Sequence, residues 1–252
     1  MGGAVRSERW VTLALVAGVL AGWEVAARTG LVPTMFFPPP TVIGGGLLRL
    51  VATGNLLPHA GTTLARVGMG VLIGCVPACI LGLAMGWSRR LGAVLDPLVA
   101  AFHPLPKIAI LPLLMVVFGI GESSKVAVIA FAAFFPMLVN SMAGVSQISP
   151  QLFEVARSYG ATRTKVFTRV VLPGSLPLIL TGLRISLNVA LLIAIAAEMI
   201  AAQTGLGVLL WLAWETARPE ELFAALFVIA LIGVAGNLTL SRLSLRLLRW
   251  QS

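Results

Sequence analysis

Charge is scarce in this 252-residue chain: nine Asp and Glu, eighteen Lys and Arg, 11% charged residues in all. That is too little polar material to cover an ordinary soluble domain. With 58% hydrophobic residues and a mean hydropathy of +0.99, the chain reads as an all-α integral membrane protein. Histidine and cysteine are rarer still, two of each. His59 and His103 stand far apart with no metal-binding cysteine set beside them, which argues against a metal site. Cys75 and Cys79 flank Pro77 in one apolar segment and read as small buried hydrophobes rather than a redox pair. The lysines Lys107, Lys125 and Lys165 follow Pro106, Ser124 and Thr164, not the glycine-rich loop that cradles nucleotide phosphates, so the chain does not hydrolyse ATP by itself. No nucleophile and base stand at a plausible spacing, which disfavours an intramembrane enzyme.

What the chain does have is long apolar runs. A helix needs about 20 predominantly apolar residues to cross a bilayer. Six segments qualify: residues 11–27, the charge-free gap 66–89, residues 98–118, the gap 125–154, residues 174–202 and residues 222–240. Arg6, Arg9 and Val25-Ala26-Ala27 imitate a signal peptide, but the five later segments favour an uncleaved first span. Between the first two spans, Phe36-Phe37-Pro38-Pro39-Pro40-Thr41 predicts a rigid, polyproline-like surface loop on the outer side. No repeat, linker or soluble domain is evident, so residues 1–252 read as one membrane domain.

The net charge of +9 does not imply nucleic acid, because the cations sort by side of the membrane. With a cytoplasmic N-terminus, Arg6, Arg9, Arg89, Arg90, Arg157, Arg163, Lys165, Arg169, Arg242, Arg246 and Arg249 lie inside. Arg28, Arg49, Arg66, Lys125 and Arg218 lie outside. Both termini are therefore expected in the cytoplasm.

One polar island, EVARSYGATRTKVFTRVVLP at 154–173, interrupts the apolar pattern. Leu152, Val155, Ala156 and Tyr159 recur at helical spacing, and Gly160 stands where a helix ends in the left-handed conformation. A second short helix follows, with Arg163, Phe167 and Val170 on one face, and Leu172-Pro173 is expected to end it. The island suits either a docking knob for a soluble partner or an amphipathic loop on anionic headgroups.

Polar groups inside spans mark a transport path, since they are expensive to keep there. Arg184, Asn188, Leu191, Ile195 and Glu198 fall in one stripe of the fifth span, a candidate pore lining. Lys107 stands about eleven residues beyond Asp96, read as a possible cap of the fourth span, which puts it near mid-membrane at about 1.5 Å per residue. Two cations at one level favour an anionic passenger if both face water; otherwise each snorkels or neutralises a neighbour. Pro104, Pro106 and Pro112 predict either a broken helix beside a path or a static kink.

The island resembles the EAA loop of binding-protein-dependent ABC importer permeases, whose pattern is E-A-A, three residues, G, nine residues, I-x-L-P. Glu154, Val155, Ala156, Gly160, Val170, Leu172 and Pro173 occupy those places, with Val155 and Val170 as mild departures. FPPP, LDP at 95–97, PLPKIAILPLLMVVFGIGESSK at 104–125 and TGLRISLNVALLIAIAAEMIAAQTGLG at 181–207 extend the likeness to the nitrate, sulfonate, taurine and bicarbonate branch. The resemblance implies a type I importer permease fold and two permease subunits, commonly a homodimer. It also implies two cytoplasmic ATPases that hold the ATP and magnesium, and an extracytoplasmic solute-binding protein. Within it, 150–173 becomes the coupling loop, with Glu154, Ala156, Arg157, Tyr159, Gly160, Leu172 and Pro173 at the ATPase contact. The implied solute is a small anion, with a neutral pyrimidine precursor as the alternative. A rival class, an ion-gradient-driven secondary transporter, would need an intramembrane carboxylate, and only Glu198 offers one.

Overall fold

The computed structural model describes residues 2–248. Arg249 and the side chains of Arg6 and Arg9, counted above among the inner cations, lie outside the described residues. In chain order the elements are α1 (Gly2–Arg28), α2 (Pro40–Ala52), α3 (Leu56–Trp87), α4 (Arg89–Phe102), a 3-10 turn (Lys107–Ile110), α5 (Leu111–Phe118) and α6 (Glu122–Ser146). Then come α7 (Pro150–Ser158), α8 (Arg163–Val166), a π-helical turn (Phe167–Val171), α9 (Leu172–Ala201), α10 (Leu206–Glu215) and α11 (Pro219–Leu247). Among the described residues five helical stretches are long and apolar enough to cross a membrane, or six if the bent pair α4 and α5 counts as one span.

The core is a three-helix stack in which α6 lies between α3 and α9. Lipid supplies no hydrophobic drive for helices to pair, so close backbone approach must hold them together, and small residues permit it. On α3, Gly70, Gly74, Ala78, Gly82 and Gly86 recur every fourth residue along the face against α6. A Cβ on Gly74 would lie 2.2 Å from the Ala130 carbonyl oxygen, and one on Gly82 2.5 Å from that of Leu138. Gly74→Val is therefore expected to destabilise the fold by roughly 1–3 kcal/mol or more. Gly68→Val on the open face, where nothing lies within 4 Å, should leave the melting midpoint in detergent unchanged; equal midpoints would remove the seam from the account.

The fourth span is broken at its prolines, as the broken-helix reading of them expects: α4 and the segment Lys107–Phe118 meet at 87°, where Pro104 and Pro106 withhold two amides within three residues. Four other expectations are corrected. Asp96 lies inside α4, which is capped instead by the Ser88 hydroxyl accepting from the Leu91 amide, so counting residues from Asp96 does not give the depth of Lys107. The proline stretch is a surface loop only in part: Phe36 and Phe37 are exposed and Pro39 holds the polyproline-like φ −57° and ψ 143°, but Pro38 and Pro39 are buried and Pro40 opens α2, where its fixed φ suits the first turn. Leu172-Pro173 does not end the second helix of the island. The Leu172 amide reaches back five residues to the Phe167 carbonyl, and this π turn widens the coil enough for the Pro173 ring. The helix then runs on, so Arg163–Ala201 is one 39-residue stretch.

The remaining correction concerns Arg66. α3 begins ten residues before it, so Arg66 is inside the second span rather than flanking it, and it is 1% exposed.

Candidate functional site

The polar island forms the helix, turn and helix that its spacing predicts. Pro150 occupies the first turn of α7, and the helix closes in a complete glycine cap. The Gly160 amide donates to the Arg157 carbonyl at 2.9 Å and the Ala161 amide to the Ala156 carbonyl at 3.0 Å, with Gly160 at φ +65°. Thr162 starts α8 by accepting from the Lys165 amide.

Among the described residues α7 packs lengthwise against no other helix. It is held from below by half-buried Phe153 and Ala156, and the apolar stripe faces outward: Leu152, Val155 and Tyr159 are exposed, Tyr159 to 85%. Glu154 and Arg157 are exposed on flanking faces. Leu172 and Pro173 belong to the base of α9 rather than to the turn. An amphipathic helix with an uncovered apolar stripe and polar flanks is a form suited to a groove on a partner.

The transport-path residues do not form one stripe. Lys107 donates to the His103 carbonyl across the break and lies 5.4 Å from the Phe135 ring centroid, a cation–π contact. Arg184, mid-helix in α9, donates through Nη2 to Ser241 Oγ on α11 at 2.8 Å, and its buried Nε has no partner. It forms no ion pair among the described residues. One turn on, exposed Asn188 accepts from Asn237 Nδ2 at 2.9 Å. Asn237 and Ser241, spaced i and i+4 in the second half of α11, were not picked out from the sequence. Their polarity in an otherwise apolar run was the available signal.

Glu198 departs from this group. At 1% exposure it does not line an open surface but sits in a buried network at the other end of α9. Arg66 Nη1 donates to Glu198 Oε1 at 2.8 Å, while Nε and Nη2 donate to the two oxygens of Glu122 at 2.6 and 2.7 Å. Thr63 Oγ1 and the Gly207 amide also reach Glu198, each at 2.9 Å. Lys125 stands 3.5 Å from Glu122. Two cations thus meet two anions, and the cluster carries no net formal charge.

The network also fixes the segment between α9 and α10. Arg66 donates to the Thr204 carbonyl, the Leu206 amide to Thr63 Oγ1, and the Gly205 amide to His59 Nδ1. Glu122 opens α6 and α7 follows its far end, so 25 residues at about 1.5 Å each separate the network from the turn by roughly 37 Å. The ion-gradient alternative loses its single carboxylate, since both oxygens of Glu198 are engaged.

Residues 70–250 match the family described as binding-protein-dependent transport system inner membrane component. The chain is 36% identical over 250 residues to the taurine transport system permease protein TauC of Escherichia coli (strain K12), covering 96% of this chain and 91% of that protein. It is 31% identical to the putative aliphatic sulfonates transport permease protein SsuC of Bacillus subtilis (strain 168), covering 95% and 87%. The formylaminopyrimidine transport permease protein ThiX of Halalkalibacterium halodurans is also 31% identical, over 91% of each chain. Among solved structures, an inward-facing MetNI methionine ABC transporter superposes with a TM-score of 0.62 at 20% identity, over 76% of this chain and 97% of that one. An amino acid ABC transporter with histidines gives 0.60 at 21% identity, over 81% and 97%. Those two likenesses establish the fold as that of the ABC importer permeases. The family match over most of the chain, two long relatives above 30% identity, a capped polar knob and no nucleotide loop agree: this chain belongs to the binding-protein-dependent transport system inner membrane components, the multi-pass, non-catalytic permeases that work with an ATPase and a binding protein.

Proposed function

We propose that two copies of this chain form the translocation path of an ATP-driven importer for a small sulfonate or related oxyanion, with α7 as the helix that docks on the ATPase. The observation that carries the reading is the outward apolar stripe of α7 on a glycine-capped turn. Leu152, Val155 and Tyr159 enter the ATPase groove, Glu154 and Arg157 make polar contacts at its rim, and Ala156 rests on the permease body. ATP and magnesium are held by the ATPase and none by this chain. α7 and both termini face the cytoplasm, as the surplus of Arg and Lys at that end supports. Nucleotide state moves the pore only as far as it binds the two pore conformations with different affinity.

The solute class is supported by the taurine and aliphatic sulfonate relatives and by Arg184, a mid-span guanidinium without an ion-pair partner among the described residues. Lys107, Arg184 and Asn188 line the path, joined by Asn237 and Ser241. The formylaminopyrimidine relative supports a neutral heterocycle as the second reading.

The test is uptake into liposomes holding this chain, its ATPase and its binding protein, with taurine, nitrate and a formylaminopyrimidine as competing solutes. Arg184→Gln is expected to slow uptake of the anion by roughly tenfold, the loss of one charge-assisted contact, with membrane level unchanged. Wild-type uptake by that variant removes Arg184 from the path. Uptake of the heterocycle alone overturns the anion.

A further inference from the structure

We infer that Trp87 is the positioning residue through which α7 moves the spans. The inference rests on α7 being the ATPase-docking helix, and concerns how a push on it reaches the core.

Trp87 is the last residue of α3, and Ser88 both closes α3 and caps α4, so its ring stands at the corner where the second span turns into the broken one. The corner is fixed to the core. A Cβ on Gly86 would lie 2.7 Å from Val145 Cβ and 2.8 Å from the Met142 carbonyl, which shows how closely the end of α3 meets the end of α6. From this anchored position the indole touches both arms of the helix-turn-helix. Its centroid is 6.2 Å from Phe153 of α7, tilted at 52°, and 6.0 Å from Phe167, edge on at 87°.

Apart from the three-residue link to α6, few side chains tie α7 to the core. A cavity of about 580 Å³ meets the Trp87–Phe153 pair, bounded also by Ser88, Arg157, Ala161, Arg163 and Val166. Another of about 300 Å³ meets the same pair, bounded also by Gly86, Val145, Ser146, Ile148, Pro150 and Arg157. Besides the short link to α6 at 147–149, in which Ile148 is buried in the core, and with no helix packed along α7 among the described residues, a displacement of α7 has one side-chain route inward. That route is ring against ring, from Phe153 to Trp87 and on to Phe167.

Phe167 opens the π turn, where hydrogen bonds span five residues and the helix is least regular, directly before α9. One indole therefore connects the docking helix to the α3–α6 seam and to the deformable start of the span that carries Arg184. A tryptophan has two side-chain torsions and a rigid ring, so it passes displacement on rather than absorbing it.

The experiment uses the complete transporter in liposomes and reads three quantities: co-purification of the ATPase with the permease, ATP hydrolysis stimulated by the loaded binding protein, and solute taken up per ATP hydrolysed. Trp87→Ala is expected to keep the ATPase bound and hydrolysis running while uptake per ATP falls roughly tenfold, within the usual span of coupling between two sites. Trp87→Phe, which keeps an aromatic ring at the corner, is expected to recover most of the loss. If Trp87→Ala does not reach the membrane, Phe153→Ala and Phe167→Ala carry the same expectation, each removing one contact.

Uptake per ATP within about twofold of wild type in these variants overturns the transmission role. Loss of ATPase binding in Trp87→Ala also overturns it, since Trp87 then only shapes the docking surface. The docking reading fails separately. It is lost if Leu152→Glu with Val155→Lys, which breaks the apolar stripe, leaves the ATPase bound, whatever Trp87→Ala does.

Discussion

Glu198→Ala is expected to lower stability by about 3–5 kcal/mol, the usual cost of removing one partner from a buried ion pair. The reason is what the change leaves behind. Arg66, 1% exposed, would keep as counter-charge only Glu122, whose side chain is 59% exposed. One Nη1 hydrogen and the Gly207 amide would lose their acceptor, while the Thr63 hydroxyl turns to the His59 carbonyl at 3.2 Å. Each stranded donor adds its own desolvation cost of about 1–3 kcal/mol, part of which water entering beside the exposed Glu122 can recover. Glu198→Gln should fall between the two, because the amide keeps the shape and one acceptor but turns a second donor toward donors.

Unfolding in detergent micelles measures the difference. The surface pair Arg218–Glu221, at 3.3 Å with Arg218 60% exposed, supplies the comparison: Arg218→Ala should leave the midpoint where it was. A Glu198→Ala midpoint that also stays put would mean that the network is hydrated and that its geometry stabilises nothing.

The same network shows why part of this fold was hidden from sequence reading. A search for charge-free runs puts Arg66 outside the membrane, because a local window cannot see that its partners are Glu122 and Glu198, 56 and 132 residues away. Once those partners are in place the guanidinium is neutralised and the span can include it. Pro173 misled for a related reason. The rule that proline ends a helix assumes regular i to i−4 bonding, and the π turn at Phe167–Val171 is an arrangement that the rule does not contain. Pro40 was read as loop because three consecutive prolines suggest extended backbone, although the last of them is well placed to open a helix. Gly160, by contrast, was legible: a helical run followed at once by glycine has one common outcome, and the residues that decide it are all neighbours.

The exposed face of α7 could not have been read at all from periodicity. Spacing identifies which residues share a face but not whether another part of the chain covers it. Leu152, Val155 and Tyr159 would look the same in sequence if they packed on a span. Only the fold shows them uncovered, with Phe153, one position off the stripe, making the contact inward.

Gly160→Pro should abolish uptake while the permease reaches the membrane at its normal level. Proline fixes φ near −65°, and the turn holds Gly160 at +65°, so no proline can occupy the native position. It also lacks the amide that donates to the Arg157 carbonyl, so the last turn of α7 loses one of its two closing hydrogen bonds. The damage stays local because nothing lies within 4 Å of where a side chain at Gly160 would begin, and the α3, α6 and α9 core does not pass through the turn. The expected pattern is therefore intact insertion, an unchanged melting midpoint, reduced ATPase co-purification and loss of solute-stimulated hydrolysis. Gly160→Ala separates conformation from hydrogen bonding, since alanine keeps the amide and meets only the left-handed penalty of about 1–2 kcal/mol. It should bind the ATPase more weakly than wild type but far better than the proline variant. Were Gly160→Pro to transport at the wild-type rate, α7 would not need a fixed direction, and a helix free to swing on its turn cannot drive Trp87 or the spans behind it.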